Sequence, residues 1–139
     1  MLLVDTNVWL AAADSRSRQH RACLALVNEY RNGLASTAAV IAETGWLLLD
    51  RGGPIGQQRF IGSILTGDID VIDLFATDWI RVHELVSIYT DLSLDVIDAS
   101  TIAVAERLNQ TTIATLDERD FRIVRPAHTD SFELVPGPA

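Results

Sequence analysis

Short apolar runs alternate with longer helical patterns along the chain, and this alternation predicts the order of its secondary structure. Leu2–Asp5 is typical of a buried strand that ends in a polar turn. A helical pattern follows from Val8 to about Tyr30, with a break near Asp14 and a stop at Asn32-Gly33. Further strands are expected over residues 68–74, 112–116 and 132–135, and further helices over residues 37–50, 55–65, 77–90 and 98–108, with Ser36 or Thr37 and then Thr77 as helix caps.

Strands that alternate with helices are typical of a mostly parallel sheet between helical layers. We therefore predict an α/β fold, a single three-layer α/β/α domain over residues 1–135 with a short C-terminal tail over 136–139. In open α/β sheets, ligands bind beyond the carboxyl ends of the strands. Asp5 and Asp117 both stand at predicted strand ends, so their side chains are expected at the same edge of the sheet.

Composition narrows the class of protein. The hydrophobic fraction of 48% is that of a globular chain. No apolar run reaches the roughly 18 residues that a membrane span needs. The first residues lack a basic region and meet an acid at Asp5, which argues against a signal peptide. We expect a cytoplasmic protein with no membrane partner.

The net charge of -8 is unfavourable for a protein that binds nucleic acid, because affinity for phosphates comes mainly from basic residues. A cluster of four carboxylates would account for half of this charge, and a bound divalent cation would offset part of it. All eleven positive residues are arginine, which suits bidentate contacts with phosphate.

Glu43 and Asp5 are the acids whose positions are hardest to explain by stability. Glu43 is the only charged residue between positions 36 and 49, in a predicted helix that should be buried over most of its surface. A glutamate there must be paired, protonated or coordinated; a salt bridge to an arginine is the alternative to a functional role. Asp5 could cap the next helix, but Thr6 or Asn7 could do so equally well.

Asp98 and Asp117 are ambiguous as single residues. Asp98 could cap the helix that it begins, with Asp95 or Ser93 as competing caps. Asp117 could belong to a plain acidic turn after a strand, and Asp120 is a possible substitute for it. Together, four acids would repel one another unless a cation held them, and an all-oxygen site suits Mg²⁺ or Mn²⁺ rather than zinc.

The acids and their neighbours resemble PIN-domain ribonucleases, most closely the VapC toxins of bacterial type II toxin–antitoxin modules. The segments that carry the resemblance are residues 4–10, 42–43, 94–100 and 114–121. The resemblance implies a single PIN-like domain whose catalytic and metal-binding residues are Asp5, Glu43, Asp98 and Asp117. Thr6, Asp120 and Thr115 are possible supporting residues of that site.

The resemblance also implies a function. A VapC-like protein is expected to be a Mg²⁺- or Mn²⁺-dependent endoribonuclease that cleaves a structured RNA, such as tRNA or ribosomal RNA, by a metal-activated water and so inhibits translation. Arg119 and Arg122 near the predicted site, and Arg16 and Arg18 on the early helical region, are weaker candidates for RNA binding.

The family further implies a homodimer and a cognate VapB-type antitoxin that occludes the acidic pocket, where an antitoxin arginine could compete with the metal. Trp9, Trp46 and Trp79 are expected in the core or in dimer contacts rather than as platforms for bases.

Two other families begin with an aspartate after the first strand. Response-regulator receivers and haloacid-dehalogenase-type phosphatases pair this aspartate with a lysine, and the chain has no lysine. The phosphatases also need a second acid two residues later, where the chain has Asn7. The remaining alternative is a PIN-fold module that binds RNA or protein but has lost catalysis.

Overall fold

The computed structural model describes residues 1–138 and has one parallel sheet with helices on both faces. The strands are β1 (Leu2–Val4), β2 (Leu34–Thr37), β3 (Asp70–Ile72), β4 (Thr112–Ala114) and β5 (Glu133–Val135). The helices are α1 (Thr6–Ala13), α2 (His20–Glu29), α3 (Ala38–Gly52), α4 (Pro54–Leu65), α5 (Ala76–Ile88), α6 (Val96–Arg107) and α7 (Glu118–Ile123), with a 3-10 turn over Thr90–Leu92. The predicted three-layer α/β/α fold is confirmed.

The sheet has the order β3-β2-β1-β4-β5, and every neighbouring pair is parallel. Leu3 in the central strand β1 is in register with Ala35 of β2 on one side and Ile113 of β4 on the other. The chain moves outward from β1 through β2 to β3 and then crosses to β4. The gap beyond β1 and β4 is therefore the topological switch point, where open α/β sheets bind their ligands.

Two apolar layers cover the two faces of the sheet. Successive side chains of a strand point to opposite faces, so Leu2 and Val4 pack with residues of α1 to α4, whereas Leu3 packs with residues of α5, α6 and α7. The three residues of β1 are almost completely buried, at 1% exposure or less. This central strand is thus a rigid base for the residue that follows it, Asp5.

Acidic residues cap the two helices that begin at the switch-point edge of the sheet. Asp5 occupies the N-cap of α1, so of the three possible caps Asp5, Thr6 and Asn7 the helix uses Asp5. Asp95 occupies the N-cap of α6, as one of the predicted alternatives, and this leaves Asp98 in the first turn. The break predicted near Asp14 separates α1 from α2.

Two other predicted caps have different outcomes. The predicted cap Thr37 is confirmed, because its hydroxyl accepts a hydrogen bond from the Val40 amide at 3.2 Å. The expectation for Thr77 is wrong: α5 begins at Ala76, and the side chain of Asp78 accepts from the Phe75 amide instead. A carboxylate three residues into a helix reaches back to the N-cap amide more readily than a threonine within the first turn.

No described helix is both long and apolar enough to cross a membrane. The division into a domain over 1–135 and a tail over 136–139 stays a prediction, and the last residue of that tail lies outside the described part of the chain.

Candidate functional site

Asp5 is the most firmly held acid of the predicted site. It is only 6% exposed, directly after the central strand. Its Oδ1 accepts from the Thr6 amide at 2.8 Å, and its Oδ2 accepts from the Thr115 hydroxyl at 2.9 Å. Both carboxylate oxygens are therefore oriented by hydrogen bonds, one local and one from the neighbouring strand β4.

Asp98 lies in the first turn of α6, within electrostatic range of Asp5. Its backbone amide donates to Oδ1 of the N-cap residue Asp95 at 2.8 Å. The carboxylate of Asp98 is left without a hydrogen-bond partner within residues 1–138. A negative charge near a helix N-terminus is favoured by the helix dipole, but this site contains several more negative charges.

Burial and mutual repulsion dominate the electrostatics of this site. Burial, followed by the charges of Asp5, Asp95, Asp117 and Asp120, raises the pKa of Asp98 to about 8. Burial also raises the pKa of Asp5, against the hydrogen bonds from Thr115 and Thr6, while Glu43 and Asp95 add to the rise. Residues far apart in sequence are thus brought within electrostatic range, and the ionised cluster is unstable without a positive partner.

The β4–α7 loop brings the fourth predicted acid, Asp117, to the same edge. The Asp117 amide donates to the Thr115 hydroxyl at 3.1 Å, and the Leu116 amide donates to Oδ1 of Asn7 at 2.9 Å. The side chain of Asp117 is exposed. Of the two acids in this segment, Asp117 raises the pKa of Asp98 more than Asp120 does, which favours Asp117 as the fourth member.

Glu43 lies near the acidic cluster, but the prediction that its helix is buried over most of its surface is wrong. Helix α3 is not buried over most of its surface: Trp46 is 63% exposed and Leu49 is 40% exposed. Glu43 itself is half-buried and makes no hydrogen bond or ion pair with the described residues. Its charge raises the pKa of Asp5, so it does lie within electrostatic range of the site.

The donor set fits a hydrated divalent cation. The Thr6 hydroxyl next to Asp5 is buried and has no hydrogen-bond partner in the described chain, so its lone pairs are available. Among residues 1–138, no three acidic, histidine or cysteine side chains are close enough to enclose a metal ion. Mg²⁺ keeps several waters and is usually bound through one or two carboxylates, so an open arrangement of oxygens suits it better than a closed cage.

The four arginines considered for RNA binding differ in their partners. Arg122 donates to Glu118 at 2.7 Å, and Arg16 donates to Asp14 at 3.2 Å. Arg119 and Arg18 are exposed and form no ion pair with residues 1–138. Arg119 and Arg18 therefore have the guanidinium groups that are more available to a phosphate.

Comparison with known proteins identifies the family to which this fold belongs. The PIN domain family matches residues 2–125, which is most of the chain. The chain belongs to the PIN domain family. It is 25% identical over 135 residues to ribonuclease VapC26 of Mycobacterium tuberculosis, covering 97% of this chain and all of that protein. The resemblance to VapC toxins that the sequence indicated is confirmed.

Solved structures share the fold of this PIN domain. The toxin VapC20 of M. tuberculosis, which cleaves the sarcin–ricin loop, superposes with a TM-score of 0.75 at 19% identity, over 81% of this chain and 87% of that one. The VapBC2 complex of Rickettsia felis, bound to promoter DNA, gives 0.69 at 18% identity, over 96% and 97%. A toxin–antitoxin complex from Klebsiella pneumoniae gives 0.68 at 18% identity, over 96% and 100%.

Sequence reasoning missed two polar residues at the edge of this PIN domain. Asp95 was considered only as a helix cap, yet it raises the pKa of both Asp5 and Asp98. Its spacing of three residues from Asp98 was the available signal, because it places two carboxylates in one helical turn. Asn7 was read as a turn residue, and nothing in the sequence showed that it meets Leu116, 109 positions away.

Proposed function

We propose that this PIN domain is a divalent-metal-dependent endoribonuclease toxin of the VapC type. The observation that carries the proposal is the gathering of acids from three separate elements around Asp98, whose pKa they raise together with burial. Stability alone gives no reason for such repulsion, and perturbed carboxyl groups at a strand edge are typical of functional sites. The similarity to ribonuclease VapC26 over 97% of the chain supports the same conclusion.

In this proposal Asp5, Glu43, Asp98 and Asp117 hold the cation, and Thr6, Thr115 and Asp120 support them. The cation, Mg²⁺ or Mn²⁺, would lower the pKa of a bound water so that it can attack the phosphate. Asp5 is held in place by its two hydrogen bonds. Asp98 must lose its proton before it can serve as a ligand, and the positive charge of the cation favours that loss.

Hydrolysis by water leaves a 5′-phosphate and a 3′-hydroxyl and needs no 2′-hydroxyl as nucleophile. We propose a structured RNA in the cytoplasm, a tRNA or a ribosomal RNA, as the substrate, with inhibition of translation as the consequence. The similarity in fold to VapC20 is compatible with such a substrate. The exposed Arg119, close to Asp117 in the chain, is suited to contact the RNA backbone.

A cognate antitoxin is the proposed protein partner. A cavity of about 490 Å³ lies among α1 to α4, and its lining includes the aromatic Trp9 and Phe60 and the basic Arg16, Arg51 and Arg59. An apolar segment that carries acidic residues would complement this lining. The related folds in VapBC2 and in the Klebsiella complex were solved as toxin–antitoxin assemblies, which supports this assignment.

A homodimer is the proposed assembly. Of the two predicted places for Trp46 and Trp79, the core and dimer contacts, the core is excluded in the single chain, because they are 63% and 51% exposed. Ile80, beside Trp79 in α5, is 62% exposed. Large exposed apolar side chains of this kind are typical of a protein interface, which agrees with the alternative that these tryptophans serve in dimer contacts. Trp9 is buried, as predicted.

The decisive experiment is RNA cleavage by the purified protein with Mg²⁺, with Mn²⁺ and with a chelator. Asp98→Asn should abolish cleavage, whereas the matched change Asp50→Asn should not, because Asp50 is an exposed residue at the far end of α3. Mapping of the product ends should find 5′-phosphates. Products that end in 2′,3′-cyclic phosphates would refute the mechanism.

The second candidate function is a PIN-fold binding module without catalysis. This candidate would be favoured if the purified protein showed no metal-dependent cleavage and if Asp5→Ala bound RNA or antitoxin as the wild type does. The presence of all four acids argues against this candidate.

A further inference from the structure

Asp117 is the one exposed residue among the four predicted ligands, and its side chain, like those of Glu43 and Asp98, is not held by any other described side chain. It is exposed, and its carboxylate accepts no hydrogen bond from residues 1–138. Asp5, in contrast, is fixed at both carboxylate oxygens. Where the carboxylate of Asp117 lies is therefore decided by the backbone of the β4–α7 loop.

Two side chains hold that backbone. The Thr115 hydroxyl accepts from the amide of Asp117, and the side-chain oxygen of Asn7 accepts from the amide of Leu116. Asn7 lies in the first turn of α1, two residues after Asp5. The same short segment of the chain thus supplies one proposed ligand, Asp5, and the anchor of the loop that carries another, Asp117.

We propose that Asn7 is a positioning residue for the metal site, which holds the Leu116 amide so that Asp117 stays within reach of the cation. The inference rests on the proposed function. Leu116 is half-buried, and an amide shielded from water is destabilised when it loses its acceptor, so the loop should rearrange rather than leave it unpaired. Groups behind metal ligands commonly act in this way.

The amide of asparagine suits this position better than a carboxylate would. An oxygen acceptor is needed for the Leu116 amide, but the site already contains the mutually repelling acids Asp5, Asp98 and Asp117. Asparagine supplies the acceptor without another negative charge. The chemistry therefore predicts that Asn7→Asp keeps the loop in place, whereas Asn7→Ala releases it.

The test is a double-mutant cycle on Mn²⁺ affinity, measured by calorimetry with the wild type, Asn7→Ala, Asp117→Asn and the double variant. Asn7→Ala alone should weaken binding about 10-fold or more, the usual effect of removing a group that orients a metal ligand. If Asn7 acts through Asp117, the double variant should bind Mn²⁺ no more weakly than Asp117→Asn does. Additive losses would overturn the inference.

A second readout separates positioning from a general loss of stability. Hydrogen exchange of the Leu116 amide should accelerate in Asn7→Ala and stay slow in Asn7→Asp, which should also bind Mn²⁺ at least as tightly as the wild type. The matched control is Asn28→Ala, because Asn28 on α2 accepts only from the exposed Arg31, away from the loop. If Asn7→Ala does not fold, Asn7→Asp decides: weaker Mn²⁺ binding with a protected Leu116 amide would contradict the inference.

The measurements distinguish a failure of the proposed metal-dependent function from a failure of the proposed role of Asn7. If the wild type binds no Mn²⁺, the proposed metal-dependent function fails and the role of Asn7 fails with it. If the wild type binds Mn²⁺ and loses it in Asp5→Asn, but Asn7→Ala binds normally, only the role of Asn7 is wrong.

Discussion

Asp5 and Asp117 follow neighbouring parallel strands, yet they are held in opposite ways. Asp5 is 6% exposed, and hydrogen bonds orient both of its oxygens. Asp117 is exposed, and only its backbone is held. One half of the acidic site is thus preorganised by the core, while the other half depends on a loop. In the proposed metal site, a rigid ligand thus stands beside an adjustable one.

The largest effect is expected from the rigid half. Asp5→Asn keeps the shape of the side chain and one of its two acceptor oxygens but removes the charge, and its NH2 group can only donate. We expect cleavage efficiency, kcat/KM, to fall by about two to three orders of magnitude, the scale seen when a preorganised electrostatic group is removed. Single-turnover cleavage of a fixed RNA at saturating Mg²⁺ measures this, and a loss of less than tenfold would contradict the role of Asp5.

A smaller effect is expected from the adjustable half. Asp117→Asn should weaken Mn²⁺ binding about 10- to 100-fold, and a high metal concentration should restore much of the cleavage, because the remaining ligands are still in place. The comparison with Asp5→Asn is sharpest when both are titrated with Mn²⁺. Equal behaviour of the two variants would remove the distinction between a rigid and an adjustable half. Asp120→Asn is the matched control for the choice of fourth acid.

Thr115 connects the two halves, since its hydroxyl donates to Asp5 and accepts from the Asp117 amide. Thr115→Val keeps the shape of the side chain and removes both hydrogen bonds. We expect a loss of stability of about 1–3 kcal/mol and weaker Mn²⁺ binding. Thr115→Ser should restore both properties. Chemical denaturation and calorimetry measure them, and a normal Mn²⁺ affinity in Thr115→Val would show that the two halves are independent.

The smallest expected effect is on stability without metal. The folded protein raises the pKa of Asp98 from 3.8 to about 8, so the contribution of Asp98 favours the cation-free fold at low pH and is lost as pH rises between these values. Asp98→Asn removes this loss. We expect it to melt at least about 3 °C above the wild type at about pH 9 in a chelator, with little difference at about pH 4. Saturating Mg²⁺ should reduce the gap at high pH, because it stabilises the ionised wild type.

Much of the fold was predictable because local patterns and global architecture agree. The short apolar runs around Leu3 and Ile113 became central strands, and Thr37 became the helix cap that its position indicated. The Thr77 cap was wrong because Asp78 competes for the same amide. The prediction that helix α3 is mostly buried was wrong, because an apolar part of its surface that includes Trp46 is exposed in the single chain.

The candidate site was predictable to a different extent for each acid. The acids at strand ends could be identified from the sequence as candidate site residues, because parallel strands bring their carboxyl ends to one edge of the sheet. The burial predicted around Glu43 was wrong, although the charge of Glu43 does raise the pKa of Asp5. The contribution of Asp95 was hidden by its ordinary role as a cap.

By itself, the sequence determined the alternation of strands and helices, the residues that carry the resemblance to VapC toxins, and the charges available for a metal site. Only the tertiary structure decided which of these acids are rigid and which are adjustable. Hydrophobic periodicity is local and can be read along the chain. The bonds from Thr115 to Asp5 and from Leu116 to Asn7 join residues about a hundred positions apart. Such bonds have no periodic signal and exist only once the sheet has brought β1 and β4 side by side.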